Sequence, residues 1–424
     1  MGKIKIESTN IEKGMYVCEL DRPWSETPFL FQGFRITNDR EIEKLKQVCG
    51  FIFVDEEKST VEVDPKLIVL AASGHAKKYN NPKPLYNIQA KHEPHQEKFE
   101  TEFPVAKAAY RNAFEKMHVV FNDIRLGKSL DVLTIKSTVQ DMTSSILRNP
   151  DALKLLCVLQ ERDDNAITHA LHVCILTLAF GNYLGLKKDK IQKLGIGGLL
   201  HDIGETKLED GLFWRSRHYT KEEKAEIQKH TEYGEEIINN SQGLDPIVLD
   251  IVRDHHERLN CTGFPKQSCG EDISYNAMIV SIVDVYDSVT MGYEGKDIVS
   301  CTDALKSMYD WRDELFQGEL VEHFIQCLGI YPVGSVVLLN SNEVGIIFTF
   351  GDCSRLAPQI MLLLDKNHDY YSTPKIIDLS KFKDNDDKYL YEIKKVVKPE
   401  EYGIDLKNHI LNELYVSESI NDRL

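Results

Sequence analysis

Five histidines and two aspartates lie in otherwise apolar segments between residues 163 and 290, and this pattern constrains the fold more than any other feature of the chain. The first, His169, lies among Ile167, Leu171 and Ile175, which follow the spacing of one helix face. Burying imidazoles and carboxylates without partners costs free energy. We therefore predict that these seven side chains converge on metal: His169, His201, Asp202, His230, His255, His256 and Asp284.

Histidine nitrogen and aspartate oxygen suit iron, manganese, nickel or zinc, and the lack of cysteine in the set argues against a structural zinc. Adjacent residues on a helix point about 100° apart, so His201 and Asp202 can reach two different ions with the carboxylate between them. His255 and His256 can do the same. The pattern predicts two divalent transition-metal ions, and a hydroxide bridging such a pair can attack a phosphodiester.

A lone histidine on an apolar helix is more often a packed core residue, and only the adjacent pairs in this order favour metal. Two alternatives stay open for the neighbouring polar residues. His172 either supports a ligand or is simply packed, and Asp254 and Glu257 either orient ligating imidazoles or are surface charges.

The net charge of the 424-residue chain is −16, which argues against polymeric nucleic acid as a partner but does not exclude a small anion at a metal site. No apolar run is long enough for a membrane span, and the N-terminus does not resemble a signal peptide. Nine cysteines without a CxxC pair favour a reducing cytoplasm, with Cys261 and Cys269 as small, unpaired loop residues.

The pattern changes three times along the chain. Strand-like and helix-like segments predict a small α/β domain over residues 1–72, and the proline-rich, polar residues 73–98 predict a linker in which His92 and His95 are solvated. Helical periodicity dominates residues 99–329. Within it, Thr220–Glu223 predicts a capping box that opens a helix through His230, and Asp245–Pro246 predicts the start of another helix. Strands are predicted over residues 330–424, among them Gln359–Leu364. The expected fold class is mainly α, with an α/β domain before the helices and a β-rich extension after them.

The H…HD…H…HH…D series resembles the HD superfamily of metal-dependent phosphohydrolases. Residues 255–265, HHERLNCTGFP, look like the HHExxDGxGYP signature of the HD-GYP subfamily. Residues 3–60, rich in aromatic residues, are similar to an uncharacterised domain often found before HD-GYP domains. Its aromatic side chains form either a core or a surface for a partner protein or a second copy of the chain: Trp24, Phe29, Phe31 and Phe34.

The resemblance implies a helical catalytic domain that hydrolyses cyclic di-GMP or 3′3′-cyclic GMP-AMP to the linear dinucleotide. It implies that the seven residues above are metal ligands and that His201 and Asp202 act in catalysis. Four further residues stand at substrate-contacting positions of the family, Glu205, Gly263, Phe264 and Pro265, and Lys207, two residues after Glu205, is a fifth substrate-binding candidate.

Several positions depart from the family pattern. Glu205 replaces a phosphate-facing lysine, which Lys207 would have to compensate, and Asn260 and Met278 replace an aspartate and an arginine. Asn165 stands where some members carry an extra carboxylate ligand, which favours two ions over three. The departures leave two alternatives open: a phosphodiesterase retuned for another cyclic dinucleotide, or a weak or inactive receptor or adaptor. An ordinary HD nucleotidase is disfavoured by the His255–His256 pair.

Overall fold

The computed structural model comprises two compact units, Met1–Lys78 and Tyr79–Leu424. The residues whose structure is described here are 3–21, 34–36, 39–55, 59, 85–86, 88, 90, 95–159, 166–209, 212, 219–292, 299–350, 358–379, 381 and 391–406.

The N-terminal unit is a four-stranded antiparallel sheet with one helix, in the strand order β1–β4–β2–β3. Its elements are β1 (Lys3–Glu7), β2 (Tyr16–Leu20), β3 (Phe34–Arg35), α1 (Asp39–Val48) and β4 (Phe51–Asp55). Ile6 pairs with Ile52, and both are fully buried with Leu45 of α1. The predicted small α/β domain is therefore confirmed, whereas Trp24, Phe29 and Phe31 lie outside the described residues.

The second unit is built on helices. They are α2 (Phe99–Arg125), α3 (Val132–Arg148), α4 (Pro150–Leu159), α5 (Ala166–Tyr183), α6 (Lys188–Leu200), α7 (Lys221–Gln228), α8 (His230–Asn239), α9 (Pro246–Asp254), α10 (Tyr275–Met291), α11 (Cys301–Asp310) and α12 (Gly318–Leu328). The apolar faces of α2–α6, α8 and α9 share one core, and α5 packs against α6 and α10. The predicted mainly helical fold is confirmed.

Helix α5 carries the first predicted ligand through the centre of this core. It is buried on nearly every side, from Ile167 to Tyr183. Among the described residues it is the one helix long and apolar enough to cross a membrane, and 89% of it is buried inside the protein. Such burial is typical of the central helix of a core.

Two helices, rather than one, follow Thr220. The predicted capping box is present, since Thr220 Oγ1 accepts from the Glu223 N–H and the Glu223 carboxylate accepts from the Thr220 N–H. However, α7 ends at Gln228 and His230 begins α8. The prediction of one helix through His230 is wrong because the chain changes direction at Lys229, whose ψ of −10° departs from helical geometry.

A five-stranded antiparallel sheet follows the helices, in the order β8–β7–β6–β5–β9. Its strands are β5 (Val336–Leu339), β6 (Val344–Thr349), β7 (Gln359–Leu364), β8 (Tyr370–Asp378) and β9 (Ile393–Val396). The predicted β-rich extension is confirmed. Strand β6 is buried along its whole length and packs against α4, so this sheet and the helices share one hydrophobic core. The division at residue 330 stays a prediction.

The described part of the predicted linker contacts the helical unit. His95 Nε2 lies 3.8 Å from Asp151 Oδ2, and the Tyr86 ring centroid lies 5.9 Å from that of Tyr275. The expectation that His95 is solvated is wrong, because the buried Asp151 carboxylate attracts its imidazole. His92 lies outside the described residues.

Candidate metal centre

Two pairs of helix ends and two helix interiors bring the seven predicted ligands together. His201 caps the C-terminus of α6, and Asp202 opens the short 3₁₀ turn Ile203–Lys207. His255 caps the C-terminus of α9, and His230 begins α8. His169 and Asp284 lie within α5 and α10, and His256 follows His255.

Two glycines allow close contacts of α8, one with the 3₁₀ turn and one with α9. A Cβ on Gly204 would lie 1.9 Å from the carbonyl oxygen of His230, and a Cβ on Gly234 would lie 2.5 Å from Val252 Cγ1 on α9. Side chains at either position would force the elements apart. Gly204 therefore allows Asp202, directly before this turn, to reach His230.

The seven side chains form two groups, and within each group the ligand atoms lie within 4.8 Å of one another. The first group is His169, His201 and Asp284. His169 Nε2 lies 3.2 Å from Asp284 Oδ1, and His201 Nε2 lies 3.8 Å from the same oxygen.

The second group is Asp202, His230, His255 and His256. Asp202 Oδ1 lies 3.3 Å from His230 Nε2 and 3.2 Å from His255 Nε2. The other oxygen, Asp202 Oδ2, points to the first group, 3.1 Å from His201 Nε2. One carboxylate therefore faces both groups.

Backbone carbonyls fix the direction of three imidazoles. His201, His230 and His255 each donate the Nδ1–H to a carbonyl three residues earlier, at 2.9, 2.7 and 3.1 Å. This arrangement selects the tautomer with the lone pair on Nε2. All three Nε2 atoms are thereby available to a metal.

The electrostatics of the centre keep its carboxylates ionised. Burial alone would raise the pKa of Asp202 and Asp284, but the surrounding histidines outweigh burial and hold both pKa values well below the usual range. Burial, His255 and His230 lower the pKa of His256, which favours its neutral, ligating form. Burial would also lower the pKa of His169, but Asp284 and Asp287 raise it to about 9.

The donor set fits a divalent metal. His201 Nε2 and Asp202 Oδ1 are buried and, among the described residues, form no hydrogen bond of acceptable geometry, despite the close distances above. Unsatisfied buried polar atoms in a native site call for an explanation such as an ion. Nitrogen and oxygen donors without thiolates suit first-row transition metals. Asn165, which bears on a third ion, lies outside the described residues.

The signature loop after His256 folds back onto the ligand segment. Glu257 accepts the N–H groups of Lys266 and Ser268, at 2.7 and 2.9 Å. A Cβ on Gly263 would lie 2.4 Å from the His256 carbonyl oxygen, so only glycine fits this close approach. Glu257 therefore neither orients a ligating imidazole nor serves as a plain surface charge, because its carboxylate anchors the loop. Asp254 instead pairs with Arg253, at 2.6 Å.

A disulfide closes the same loop. Cys261 and Cys269 are bonded, with Cα atoms 4.7 Å apart. The expectation that they are unpaired loop residues is wrong, because the two Glu257 hydrogen bonds return the chain to its starting point and bring the two cysteines together. Their eight-residue separation gave no sign of this pairing.

The predicted substrate-contacting residues lie on the 3₁₀ turn and on the loop. Phe264 stacks on the His256 imidazole, with centroids 4.4 Å apart, and Pro265 follows it, half-buried. Glu205 is half-buried and Lys207 is exposed. Their contacts with a substrate stay predictions.

Sequence reasoning missed two residues that support the ligands. Asp287 Oδ2 accepts the Nδ1–H of His169 at 2.8 Å. Arg258 is buried and donates to the carbonyls of His255 and Glu257 and to Ser281 on α10. Asp287 could have been found, because it lies three residues after Asp284 and so on the same helix face.

Two family models match the chain. Residues 155–320 match the HD domain family, and residues 3–135 match a domain of unknown function, DUF3391. All seven predicted ligands fall within the HD match, and helix α2 falls within the other.

Among known proteins, the chain is similar to a cyclic di-GMP phosphodiesterase of Pseudomonas aeruginosa, with 26% identity over 381 residues, or 89% of each chain. It is 24% identical over 197 residues to a 3′3′-cGAMP-specific phosphodiesterase of Vibrio cholerae, covering 46% of this chain and 34% of that protein. An HDG"Y"P protein from Bdellovibrio bacteriovorus aligns over 77% of this chain and 99% of its own, with 21% identity and a TM-score of 0.45. The two family models confirm the predicted resemblance: the chain carries an HD domain over residues 155–320, preceded by a DUF3391 domain.

Proposed function

We propose that this protein is a metal-dependent phosphodiesterase that hydrolyses a bacterial cyclic dinucleotide, cyclic di-GMP or 3′3′-cGAMP, to the linear dinucleotide. The observation that carries the proposal is the Asp202 carboxylate between two complete ligand groups. The relatives named for these two substrates support it. A cytoplasmic location, where such substrates are made and consumed, is part of the same proposal.

The centre would hold two divalent ions, iron, manganese, nickel or zinc. His169, His201 and Asp284 would hold one ion, His230, His255 and His256 the other, and Asp202 would contact both. Ions at these positions would supply an activated water and neutralise the charge that develops on the phosphoryl oxygens.

The protein's own residues would do the remaining work. Backbone carbonyls that accept the Nδ1–H groups of His201, His230 and His255 fix the orientation of these imidazoles. Burial of the ligands excludes bulk water from the protein side of the centre. Phe264, stacked on His256, presents an apolar ring next to the second group. Such a ring offers a stacking surface to a nucleobase.

The complete ligand set also weighs against the receptor alternative, since a protein that only binds a nucleotide needs no pair of ligand groups joined by a carboxylate. The departures at Glu205, Asn260 and Met278 favour the receptor, whereas the intact ligand set favours a phosphodiesterase retuned for another cyclic dinucleotide. Association through the N-terminal domain, with a second copy or another protein, stays a prediction.

A side-by-side hydrolysis assay tests the proposal. The protein would be loaded with Mn²⁺, Fe²⁺ or Ni²⁺ and incubated with cyclic di-GMP or 3′3′-cGAMP, and the products would be separated by chromatography. We expect ring opening of at least one substrate and none with the His201→Ala/Asp202→Ala double variant. If the loaded wild-type protein opens neither ring, the proposed activity is wrong.

A further inference from the structure

The support behind His169 differs from that behind the other ligand imidazoles. His201, His230 and His255 donate their Nδ1–H groups to neutral backbone carbonyls. His169 donates instead to a carboxylate, Asp287 Oδ2, at 2.8 Å. A carboxylate behind a ligating imidazole fixes the ring and makes it a stronger ligand.

The second oxygen of this carboxylate also faces an imidazole. Asp287 Oδ1 lies 3.3 Å from His172 Nδ1, a close electrostatic contact without hydrogen-bond geometry, and His172 Nε2 lies 3.3 Å from the hydroxyl of Tyr110. Tyr110, His172 and Asp287 are 4%, 0% and 3% exposed, so bulk water does not compete for these contacts. The four side chains form a continuous series of buried contacts. It runs from Tyr110 on α2 through His172 on α5 and Asp287 on α10 to His169 at the metal centre.

We propose that Tyr110, His172 and Asp287 are positioning residues that hold His169 in its ligating orientation and raise the affinity of the first ligand group for its ion. The inference rests on the metal centre of the proposed function and is independent of the substrate.

The donors and acceptors along these contacts follow from chemistry. The ionised Asp287 carboxylate only accepts, so His169 donates its Nδ1–H to Oδ2 and the Nδ1–H of His172 faces Oδ1. His172 Nε2 then carries a lone pair, to which the Tyr110 hydroxyl donates. Tyr110 therefore selects the His172 tautomer that places an N–H rather than a lone pair against Asp287 Oδ1, and this favours the carboxylate orientation that faces His169.

Tyr110 lies in a different family match from the three residues that it supports. Helix α2 lies within the DUF3391 match, residues 3–135, whereas His169, His172 and Asp287 lie within the HD match, residues 155–320. The segment that matches the domain of unknown function thus contributes directly to the support of the metal centre. A displacement of α2 would change the hydrogen bond to His172 and, through it, the orientation of His169.

Metal affinity measured by competition with a chromophoric chelator tests the inference, with Co²⁺ as the probe and its visible absorption as a second readout. We expect Asp287→Asn to weaken the binding of one of two Co²⁺ equivalents by about 10- to 100-fold and to change the Co²⁺ spectrum. Tyr110→Phe removes a single buried hydrogen bond and should weaken the same equivalent by about 2- to 12-fold.

Tyr183→Phe is the matched control. Tyr183 lies on α5 with His169 and is 8% exposed. Its hydroxyl donates to Gln326 at 2.8 Å and takes no part in the contacts between Tyr110, His172 and Asp287. It should leave both Co²⁺ affinities unchanged. The inference is overturned if Tyr110→Phe binds both equivalents as the wild type does, or if Tyr183→Phe is weakened as much.

Three further outcomes separate the possible failures. If Asp287→Asn does not fold, the comparison of Tyr110→Phe with Tyr183→Phe decides alone, since each changes one oxygen atom. If the wild-type protein binds no Co²⁺, both this inference and the proposed metal centre are wrong. If the wild type binds two equivalents and the Tyr110 and Asp287 variants bind them equally well, only the positioning role is wrong.

Discussion

Asp202 Oδ2 lies 3.1 Å from His201 Nε2, although the two residues are adjacent in the chain and belong to different ligand groups. The other oxygen of Asp202 lies 3.2 Å from His255 Nε2. This geometry is possible because α6 ends at His201 and the chain turns immediately afterwards. The HD pair therefore connects the two ligand groups.

Removing single ligands should affect metal binding by the two groups independently. We expect His201→Ala to retain one tightly bound ion in the second group, His256→Ala to retain one in the first, and Asp202→Ala to weaken both. Each variant should lose at least about 100-fold in hydrolysis, because its loss should exceed that of an outer residue. Metal content by mass spectrometry of the native protein measures the result, and two retained ions in Asp202→Ala would contradict it.

The contact between the 3₁₀ turn and α8 should tolerate no side chain. In Gly204→Ala, the new Cβ would lie 1.9 Å from the His230 carbonyl oxygen, so the turn must shift and carry Asp202 with it. We expect the free energy of unfolding to fall by about 1–3 kcal/mol and metal affinity to fall with it.

Gly181→Ala on α5 is the control for this substitution, since its Cβ would meet its nearest neighbour, Ile191 Cγ1, at 3.4 Å, an ordinary contact. It should change stability by less than about 1 kcal/mol and leave metal affinity unchanged. Equal metal affinity in Gly204→Ala and Gly181→Ala would show that the turn can absorb the displacement.

A buried carboxylate on α4 pairs with a lysine of the same helix and accepts two hydrogen bonds from the C-terminal sheet. Asp151 Oδ1 lies 2.6 Å from Lys154 Nζ, and Asp151 Oδ2 accepts from Thr349 Oγ1 and the Phe350 N–H, both at 2.9 Å. Asp151→Asn leaves the Lys154 ammonium buried without its partner and should cost about 3–5 kcal/mol of stability. The double variant Asp151→Asn/Lys154→Met should lose less, as measured by urea unfolding. A double variant that is less stable than the single one would contradict this account.

The same carboxylate should make stability depend on pH in the acid range. Burial opposes its ionisation, but Lys154 and His95 outweigh burial and lower the pKa of Asp151 from 3.8 to about 2. Because the folded pKa is the lower one, the unfolded state binds the proton first as pH falls. The stabilisation, about 2 kcal/mol, should be complete above about pH 5 and disappear between about pH 4 and pH 2.

Urea unfolding of the wild type and of Asp151→Asn/Lys154→Met at several pH values measures this contribution. The difference in stability between the two proteins should move in favour of the double variant as the solution is acidified. A difference that does not change down to about pH 2 would show that Asp151 does not titrate as described.

The loop disulfide should be detectable in the purified protein. Digestion without reductant should yield a peptide pair joined through Cys261 and Cys269, and reduction should release both peptides. Closing so short a loop should contribute about 2–3 kcal/mol to stability, which Cys261→Ser would remove. Complete alkylation of both thiols without prior reduction would contradict the pairing.

Local patterns were sufficient where local forces decide the structure. Asp245–Pro246 predicted the start of α9, where the Asp245 side chain accepts from the Ile247 N–H at 3.1 Å. The apolar run Gln359–Leu364 predicted β7 at its observed bounds. The HD and HH pairs predicted that seven side chains converge, and the structure brings them into two groups, since polar residues in apolar helices are costly without a common partner.

Contacts between distant segments were not predictable in the same way. The break at Lys229 depends on α8 packing against the turn that contains Gly204, which no local pattern reveals. The role of Glu257 depends on the path of the chain nine and eleven residues later. In the sequence, Tyr110 is one of several apolar residues on the buried face of α2. Only the packing of α2 on α5 brings its hydroxyl to His172.

The dependence of hydrolysis on bound metal tests the central claim most directly. Metal-free protein would be titrated with Mn²⁺ while the opening of cyclic di-GMP and 3′3′-cGAMP is followed. We predict that the rate stays low through the first equivalent and reaches its maximum with the second, because both ligand groups must be filled around Asp202. Full activity at one equivalent, or no ring opening at two, would contradict the two-ion phosphodiesterase.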